Sequence, residues 1–224
     1  MAGAGPRIVA TFVRQGFSEQ NGAMLRWVLY WLAKFLAVIL LALLGPVRVV
    51  GRRNVPRRGG LLVLSNHISD ADPVAVGHAL PRTACFMAKS ELFSVPVFAG
   101  LIRALGAFPV RRWAPDRAAI RRALELLKAG EAVVMFPEGQ LSEDGKLQAI
   151  LPGAALIIKK AGVPAVCCGL VGTNKIMPFR KLFPRPAFGG VRARFGEPRR
   201  FDRADSHEAI LGWIESELRR LTGQ

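Results

Sequence analysis

Three cysteines, one tyrosine and half as many acidic as basic side chains are the scarcities of this 224-residue chain. The odd number of thiols, with Cys167 and Cys168 adjacent inside the apolar run AVCCGLV, argues against a disulfide framework and for a reducing, cytosolic setting. No P-loop, no GxGxxG after a strand, no GxSxG elbow and no Cys/His metal spacing occurs, so nucleotide-driven, serine-hydrolase and zinc chemistries lack support. Neither a metal nor a resident cofactor is expected. Charged residues make up only 21% and hydrophobic residues 51%, with a mean hydropathy of +0.27, which excludes a disordered chain and suggests contact with lipid. The length fits one domain plus an appendage.

The shortage of acid is local. Residues 1–60 hold nine basic side chains against Glu19, and residues 174–200 hold eight against Glu197, so these two patches carry nearly all of the formal charge of +16. Such an excess calls for an anionic partner: membrane, nucleic acid or a phosphorylated substrate. The first patch surrounds the most apolar run, MLRWVLYWLAKFLAVILLALL over 24–44, about as long as a ~30 Å hydrocarbon core. Arg26 and Lys34 interrupt it, and the uncharged stretch from Phe35 to Val47 falls short of the ~18 residues of a clean span. Trp27, Tyr30 and Trp31 lie on its N-terminal side as interfacial aromatics do. A cleaved signal peptide reads poorly, because no small-residue cleavage pattern follows the run. The expectation is a helix dipping into or lying on one leaflet, with Arg48, Arg52, Arg53, Arg57 and Arg58 on anionic head groups; the alternative is a buried core helix with a solvated Arg-rich loop.

From Gly59 onward short apolar runs alternate with helical patterns. GGLLVLS (59–65), ACFMA (84–88), GAFPV (106–110), AVVMF (132–136) and PAVCCGLV (164–171) read as strands or extended segments. PVAVGHAL (73–80), PVFAGLIRAL (96–105), DRAAIRRALELLKAG with Ile120, Leu124 and Leu127 on one face, and GAALIIKKAG closed by Gly162 read as helices. The tail DSHEAILGWIESELRRL opens on a capping-box-like Asp205 and Glu208 and stripes Ile210, Ile214, Leu218 and Leu221 along one face. This alternation predicts an α/β fold with a largely parallel central sheet flanked by helices, preceded by an N-terminal membrane-associated helical element. The domains are then 1–58, the membrane-associated region with its basic patch, and 59–224, the α/β unit.

Catalytic residues of such sheets sit at the carboxyl ends of strands, and there the polar clusters fall. SNHISDAD (65–72) ends a buried strand in Asn66, His67, Asp70 and Asp72. Five helical steps would place His67 and Asp72 about 140° apart, so pairing them needs a bend, which Asp72 followed by Pro73 supplies as the start of a helix. In that geometry the carboxylate accepts the Nδ1 proton and leaves Nε2 free to take a proton from an alcohol. The competing reading makes Asp72 only a helix cap, and Asp70 is an alternative orienting acid. Further clusters are Pro137, Glu138, Gly139 and Gln140; Lys89 and Glu91; and Arg111 and Arg112, whose guanidinium groups suit an acceptor carrying phosphate.

These residues resemble the glycerolipid acyltransferases, the family that includes the 1-acylglycerol-3-phosphate (lysophosphatidate) acyltransferases. NHISDAD resembles its NHxxxxD motif, MAKSELF its Lys-x-Glu-Leu segment, GAFPVRR its GxFxxR block, FPEG its FPEGTR block and AGVPAV its proline-containing block, all in order over residues 60–170. The resemblance implies His67 as general base, Asp72 as its partner and Arg111 and Glu138 as acceptor-binding residues, with acyl-CoA or acyl-carrier protein as donor. Lys89, Asn66 and Gly139 join them as candidate substrate-binding residues. In one place the chain departs from the pattern: Gln140 and Leu141 stand where Thr and Arg are expected, so an arginine for phosphate is missing there, with Arg111, Arg112 or Lys146 as possible substitutes.

The expectation is thus an O-acyltransferase on the cytoplasmic face of the inner or plasma membrane. It would move a fatty acyl group to a lysophospholipid hydroxyl in phospholipid biosynthesis, with an anionic phospholipid membrane as partner. The alternatives are a different lysophospholipid or hydroxyl acceptor, and a non-catalytic membrane-binding protein. A nucleic-acid partner is not expected, because the second patch is rich in Pro and Phe without a reader fold.

Overall fold

A computed structural model describes residues 32, 39, 43–94, 99–100, 102–103, 106–111, 116–179, 181, 183–202 and 204–224. Most of the apolar run at 24–44 lies outside them, as do Arg112 and the greater part of the helix expected at 96–105. Among the described residues no helix is long and apolar enough to cross a membrane.

Among the described residues seven strands form one sheet. They are β1 (Val47–Val50), β2 (Leu61–Ser65), β3 (Cys85–Lys89), β4 (Phe108–Val110), β5 (Ala132–Met135), β6 (Ala165–Val171) and β7 (Val191–Phe195), in the spatial order β1-β7-β6-β2-β5-β3-β4. From β6 to β4 every pairing is parallel. β7 pairs antiparallel with β6, and β1 runs parallel to β7. The expected α/β class with a largely parallel sheet is therefore what the chain adopts.

The sheet is buried on both faces at its centre, and the strand composition shows why. LLVLS and AVVM carry no outward polar side chain to solvate, and every residue of β2 and β5 is buried. Alternation along β2 sends Leu61 and Val63 to one face and Leu62 and Leu64 to the other. The first face packs α1 (Asp72–Ala79) through Ala75, Val76 and Ala79. The second packs α2 (Arg117–Lys128), α3 (Gly153–Ala161) and α5 (His207–Thr222), with Leu127, Ile157, Ile158, Ile210, Ile214 and Leu218 all buried. A short helix, α4 (Thr173–Ile176), follows β6. The thiols are all free, Cys167 and Cys168 buried in β6 and Cys85 half-buried in β3.

Several local expectations are corrected. β1 and β7 were not anticipated as strands: VRVV reads as the end of a greasy run, and VRARF as part of a basic patch. Its alternation nevertheless buries Val191, Ala193 and Phe195 and turns Arg192 and Arg194 outward. β1 joins the sheet through β7 although it lies ahead of the boundary expected at 58/59. The buried stripe of α2 is Ala119, Ala123 and Leu127, with Ile120 and Leu124 packed along its margin. Ser206, not Asp205, caps α5: its Oγ accepts from Ala209 N at 3.1 Å, while Asp205 accepts from Asp202 N.

Helix α5 lies against β6 at Gly169, where a Cβ would come within 2.5 Å of Leu221 Cβ and 2.9 Å of its carbonyl carbon. Gly169→Ala is accordingly expected to lower unfolding stability by about 1–3 kcal/mol through forced displacement of α5; an unchanged urea midpoint would contradict this close packing.

Candidate active site

β2, β3, β4, β5 and β6 all direct their carboxyl ends to one edge of the sheet, and the polar clusters read from the sequence collect there. β2 leaves the sheet at Asn66. Its side-chain amide replaces the next rung of the ladder, donating from Nδ2 to Leu170 O (3.0 Å) while Leu170 N donates to Oδ1 (2.7 Å). Asn66, read from the sequence as a candidate substrate-binding residue, bonds here to the main chain of β6 and lets the chain turn out of the sheet with its backbone groups satisfied.

His67 follows, and the turn to α1 closes around one carboxylate. Asp72 Oδ2 accepts from Ile68 N at 2.6 Å, from Ser69 N at 2.7 Å and from His67 Nδ1 at 2.9 Å. Asp72 is fully buried and His67 is 7% exposed. The carboxylate therefore does not cap its own helix. Ala71 holds the N-cap position without a side-chain bond, Asp72 is the first helical residue, and Ser69 Oγ accepts from Ala71 N. Asp70 is exposed, so Asp72 is the acid that meets the ring. The second oxygen, Asp72 Oδ1, is buried with no hydrogen-bond partner among the described residues.

The ring is fixed from its face as well. Phe136, the residue after β5, stacks on His67 with centroids 4.1 Å apart and planes inclined by 21°. Two main-chain contacts lock the same residue: His67 N donates to Glu138 Oε1 (2.7 Å) and His67 O accepts from Ser142 N (2.7 Å). Glu138 Oε2 accepts from Gln148 N at 2.7 Å. Glu138, a candidate acceptor-binding residue, is thus a brace between two loops, with both oxygens accepting from backbone amides. Burial pushes its carboxyl above the ordinary value, opposed by the two donated amide bonds and by His67. Gly139 also serves the loop: it adopts φ 72°, and a Cβ there would lie 2.4 Å from Leu151 Cδ1.

The basic candidates stand farther along the edge. Lys89 ends β3, is 41% exposed and pairs with Glu91 at 3.4 Å. Arg111 follows β4, three strands from β2, which at ~4.8 Å per strand is about 14 Å from the His67 turn. Its guanidinium is 71% exposed and lies 3.6 Å from Asp116 Oδ2, and its backbone N donates to the same oxygen. Burial opposes ionisation of Asp116, but amides of Ala119 and Arg111 and the Arg111 guanidinium hold its carboxyl below the ordinary value. Lys146 is exposed on the loop after Glu138. Among the described residues no group of three His, Cys, Asp or Glu side chains could hold a metal ion.

Sequence reading missed Phe136, Ser142 and Gln148, which touch the site through stacking and main-chain bonds. FPEG at a strand end marked the loop but not which atoms it would offer.

An α/β sheet of this order, with its polar residues gathered at one edge, is shared with proteins of a known family. The family model described as Acyltransferase matches residues 46–171, more than half of the chain, and the chain belongs to that family. It is 33% identical over 152 residues to the chloroplastic 1-acyl-sn-glycerol-3-phosphate acyltransferase of Arabidopsis thaliana, covering 66% of this chain and 42% of that protein. It is 32% identical over 162 residues to the 1-acyl-sn-glycerol-3-phosphate acyltransferase of Bacillus subtilis, covering 71% and 77%. The match thus spans less than half of the plant relative and about three quarters of the bacterial one. The crystal structure of the 1-acyl-sn-glycerophosphate acyltransferase PlsC from Thermotoga maritima superposes with a TM-score of 0.74 at 25% identity, covering 95% of this chain and 90% of that one.

Removing the brace tests its role. Glu138→Ala leaves the buried amide of His67 and the partly buried amide of Gln148 without their partner and is expected to cost about 1–3 kcal/mol of stability, read from urea unfolding. A variant as stable as the parent would mean that Glu138 does not hold the two loops together.

Proposed function

We propose that this chain is a membrane-associated O-acyltransferase that moves a fatty acyl group from acyl-CoA or acyl-carrier protein to the hydroxyl of a lysophospholipid, 1-acylglycerol-3-phosphate first among them. The observation that carries this is the 2.9 Å contact of His67 Nδ1 with an Asp72 carboxylate that two backbone amides already hold in place. The names of the relatives supply the reaction class and the acceptor.

In the reaction, Asp72 accepts a hydrogen bond from Nδ1–H and keeps the proton on that nitrogen, so that Nε2 carries the lone pair. Nε2 removes the acceptor's hydroxyl proton as the oxygen attacks the thioester carbonyl. The C–O bond forms, the tetrahedral intermediate collapses with loss of the C–S bond, and the departing thiolate takes the proton from Nε2. No protein nucleophile and no cofactor enters the balance. The unpartnered Asp72 Oδ1 favours this course: a buried carboxylate with one bare oxygen gains from a neighbouring positive charge, and the imidazolium formed during attack supplies one.

Arg111, with Lys89 between it and the His67 turn, is the proposed phosphate-binding side. A glycerol phosphate bearing its own acyl chain can extend along that edge with its hydroxyl at His67. Gln140 and Leu141, half-buried where the family pattern has Thr and Arg, leave that task to Arg111. They also give a specific ground for a second reading, in which the acceptor is a lysophospholipid with a different head group. We place the reaction on the cytoplasmic face of a membrane.

General-base catalysis contributes on the order of 10²–10⁴ in rate. His67→Ala is therefore expected to lose at least about 10² of acyl transfer while still pelleting with anionic liposomes, measured as thiol release and lipid product across a panel of lysophospholipids. Turnover near that of the parent would remove His67 from the mechanism, and thiol release without any acceptor would indicate a thioesterase.

A further inference from the structure

The second basic patch is a loop in the fold, and the topology fixes where it lies. β6 ends at Val171 on the edge that carries His67, and β7 starts at Val191 on the same edge because it pairs antiparallel with β6. Segment 172–190 therefore begins and ends beside the candidate active site. β1 runs parallel to β7 with Val47 opposite Val191, so the chain from the apolar run also arrives at that edge.

The segment is built, not loose. Ile176 is buried in the core, Arg185 N donates to Ile176 O, Ala187 N donates to Leu44 O and Val191 N to Pro46 O. Ser69 Oγ donates to Met177 O at 2.9 Å, tying the segment to the turn that holds His67 and Asp72. On this frame Phe183 is 78% exposed, Phe188 is 90% exposed and Leu43 is 75% exposed. A cavity of about 370 Å³ opens between Leu43–Pro46 and Pro186–Gly190. Among the described residues the same stretch carries Lys175, Lys181 and Arg185, all exposed, and Arg192 follows at the start of β7, with no Asp or Glu anywhere between Gly172 and Arg192.

Two large aromatic rings held out on an anchored loop whose sequence carries cations and not a single acid are costly in water and complementary to the head-group boundary of an anionic bilayer. We infer that this loop is a second lipid-contact surface, adjoining the end of the apolar run, which inserts Phe183 and Phe188 among anionic phospholipids and so turns the His67 edge toward the membrane that holds the acceptor. Lys181 and Arg185 meet lipid phosphates while the rings enter the acyl boundary. The inference rests on the reading that the acceptor is a membrane lipid, and it adds which residues set the height of the site above the bilayer.

The test uses the full chain carrying Cys85→Ser and Phe188→Cys, with a nitroxide at position 188; Cys167 and Cys168 are fully buried. With vesicles of phosphatidylglycerol and phosphatidylcholine, the label is expected to become several-fold more accessible to oxygen than to a water-soluble nickel complex, and less so with phosphatidylcholine alone. In parallel, Phe183→Asp with Phe188→Asp is expected to lower turnover of long-chain lysophosphatidate in those vesicles by about tenfold or more. Turnover of a short-chain, water-soluble lysophosphatidate should be retained, which shows that the variant is folded. A label that stays water-accessible on chain that sediments with vesicles overturns the inference, as does protection produced only by an acidic carrier protein. The depth measurement needs no turnover, so it decides the surface even where acyl transfer itself fails.

Discussion

The site depends on one carboxylate oxygen. Asp72 Oδ2 gathers the amides of Ile68 and Ser69 and the Nδ1 of His67, so the same atom that shapes the turn also sets the ring. Backbone and side-chain geometry cannot vary independently there. A carboxylate fully removed from water is expensive unless donors surround it, and the three donors are what make a buried acid tolerable beside a greasy sheet. The arrangement also removes freedom from the imidazole, which is the property a proton acceptor needs if its second nitrogen is to meet a substrate in one orientation.

Around that centre the fold distributes support from neighbouring strands. β6 receives Asn66, β5 contributes the ring of Phe136 and, through the loop that follows, the carboxylate of Glu138 and the amide of Ser142. Each is a contact to the backbone or the ring face of the residues around His67, made from a strand adjacent to β2. The parallel sheet places these strand ends together at no further cost, which is why a site can be assembled from loops far apart in sequence. The cationic groups, Lys89 and Arg111, stand one and two strands beyond β5, leaving space along the edge for an extended molecule.

Much of this was legible in the sequence, and the remainder was hidden for identifiable reasons. Buried strands of a parallel sheet announce themselves as short apolar runs, so β2, β5 and β6 were readable, and polar residues directly after them marked the edge. β1 and β7 were not, because they flank or carry arginines: alternation over five residues in VRARF is a weak signal inside a stretch that charge dominates. The pairing of His67 with Asp72 was legible as a possibility, since Asp–Pro supplies the bend, but spacing alone also permitted a cap or Asp70. Only the direction of the carboxylate decides, and it turns back toward residues 67–69. Asn66 and Glu138 look like substrate ligands in sequence because polar side chains at strand ends usually face a cleft. The structure shows both satisfying main-chain groups where the chain leaves the sheet, a role no spacing announces.

The proposed reaction stands on one chemical claim, that the imidazole beside Asp72 presents an unprotonated Nε2. Nitrogen-15 NMR of the histidine-labelled protein, with the His67 signals assigned by comparison with a His67→Gln variant, reads this directly. The account predicts a proton on Nδ1 and a bare, pyridine-like Nε2 in the neutral ring, lost on Asp72→Asn. A neutral ring protonated on Nε2 would contradict it.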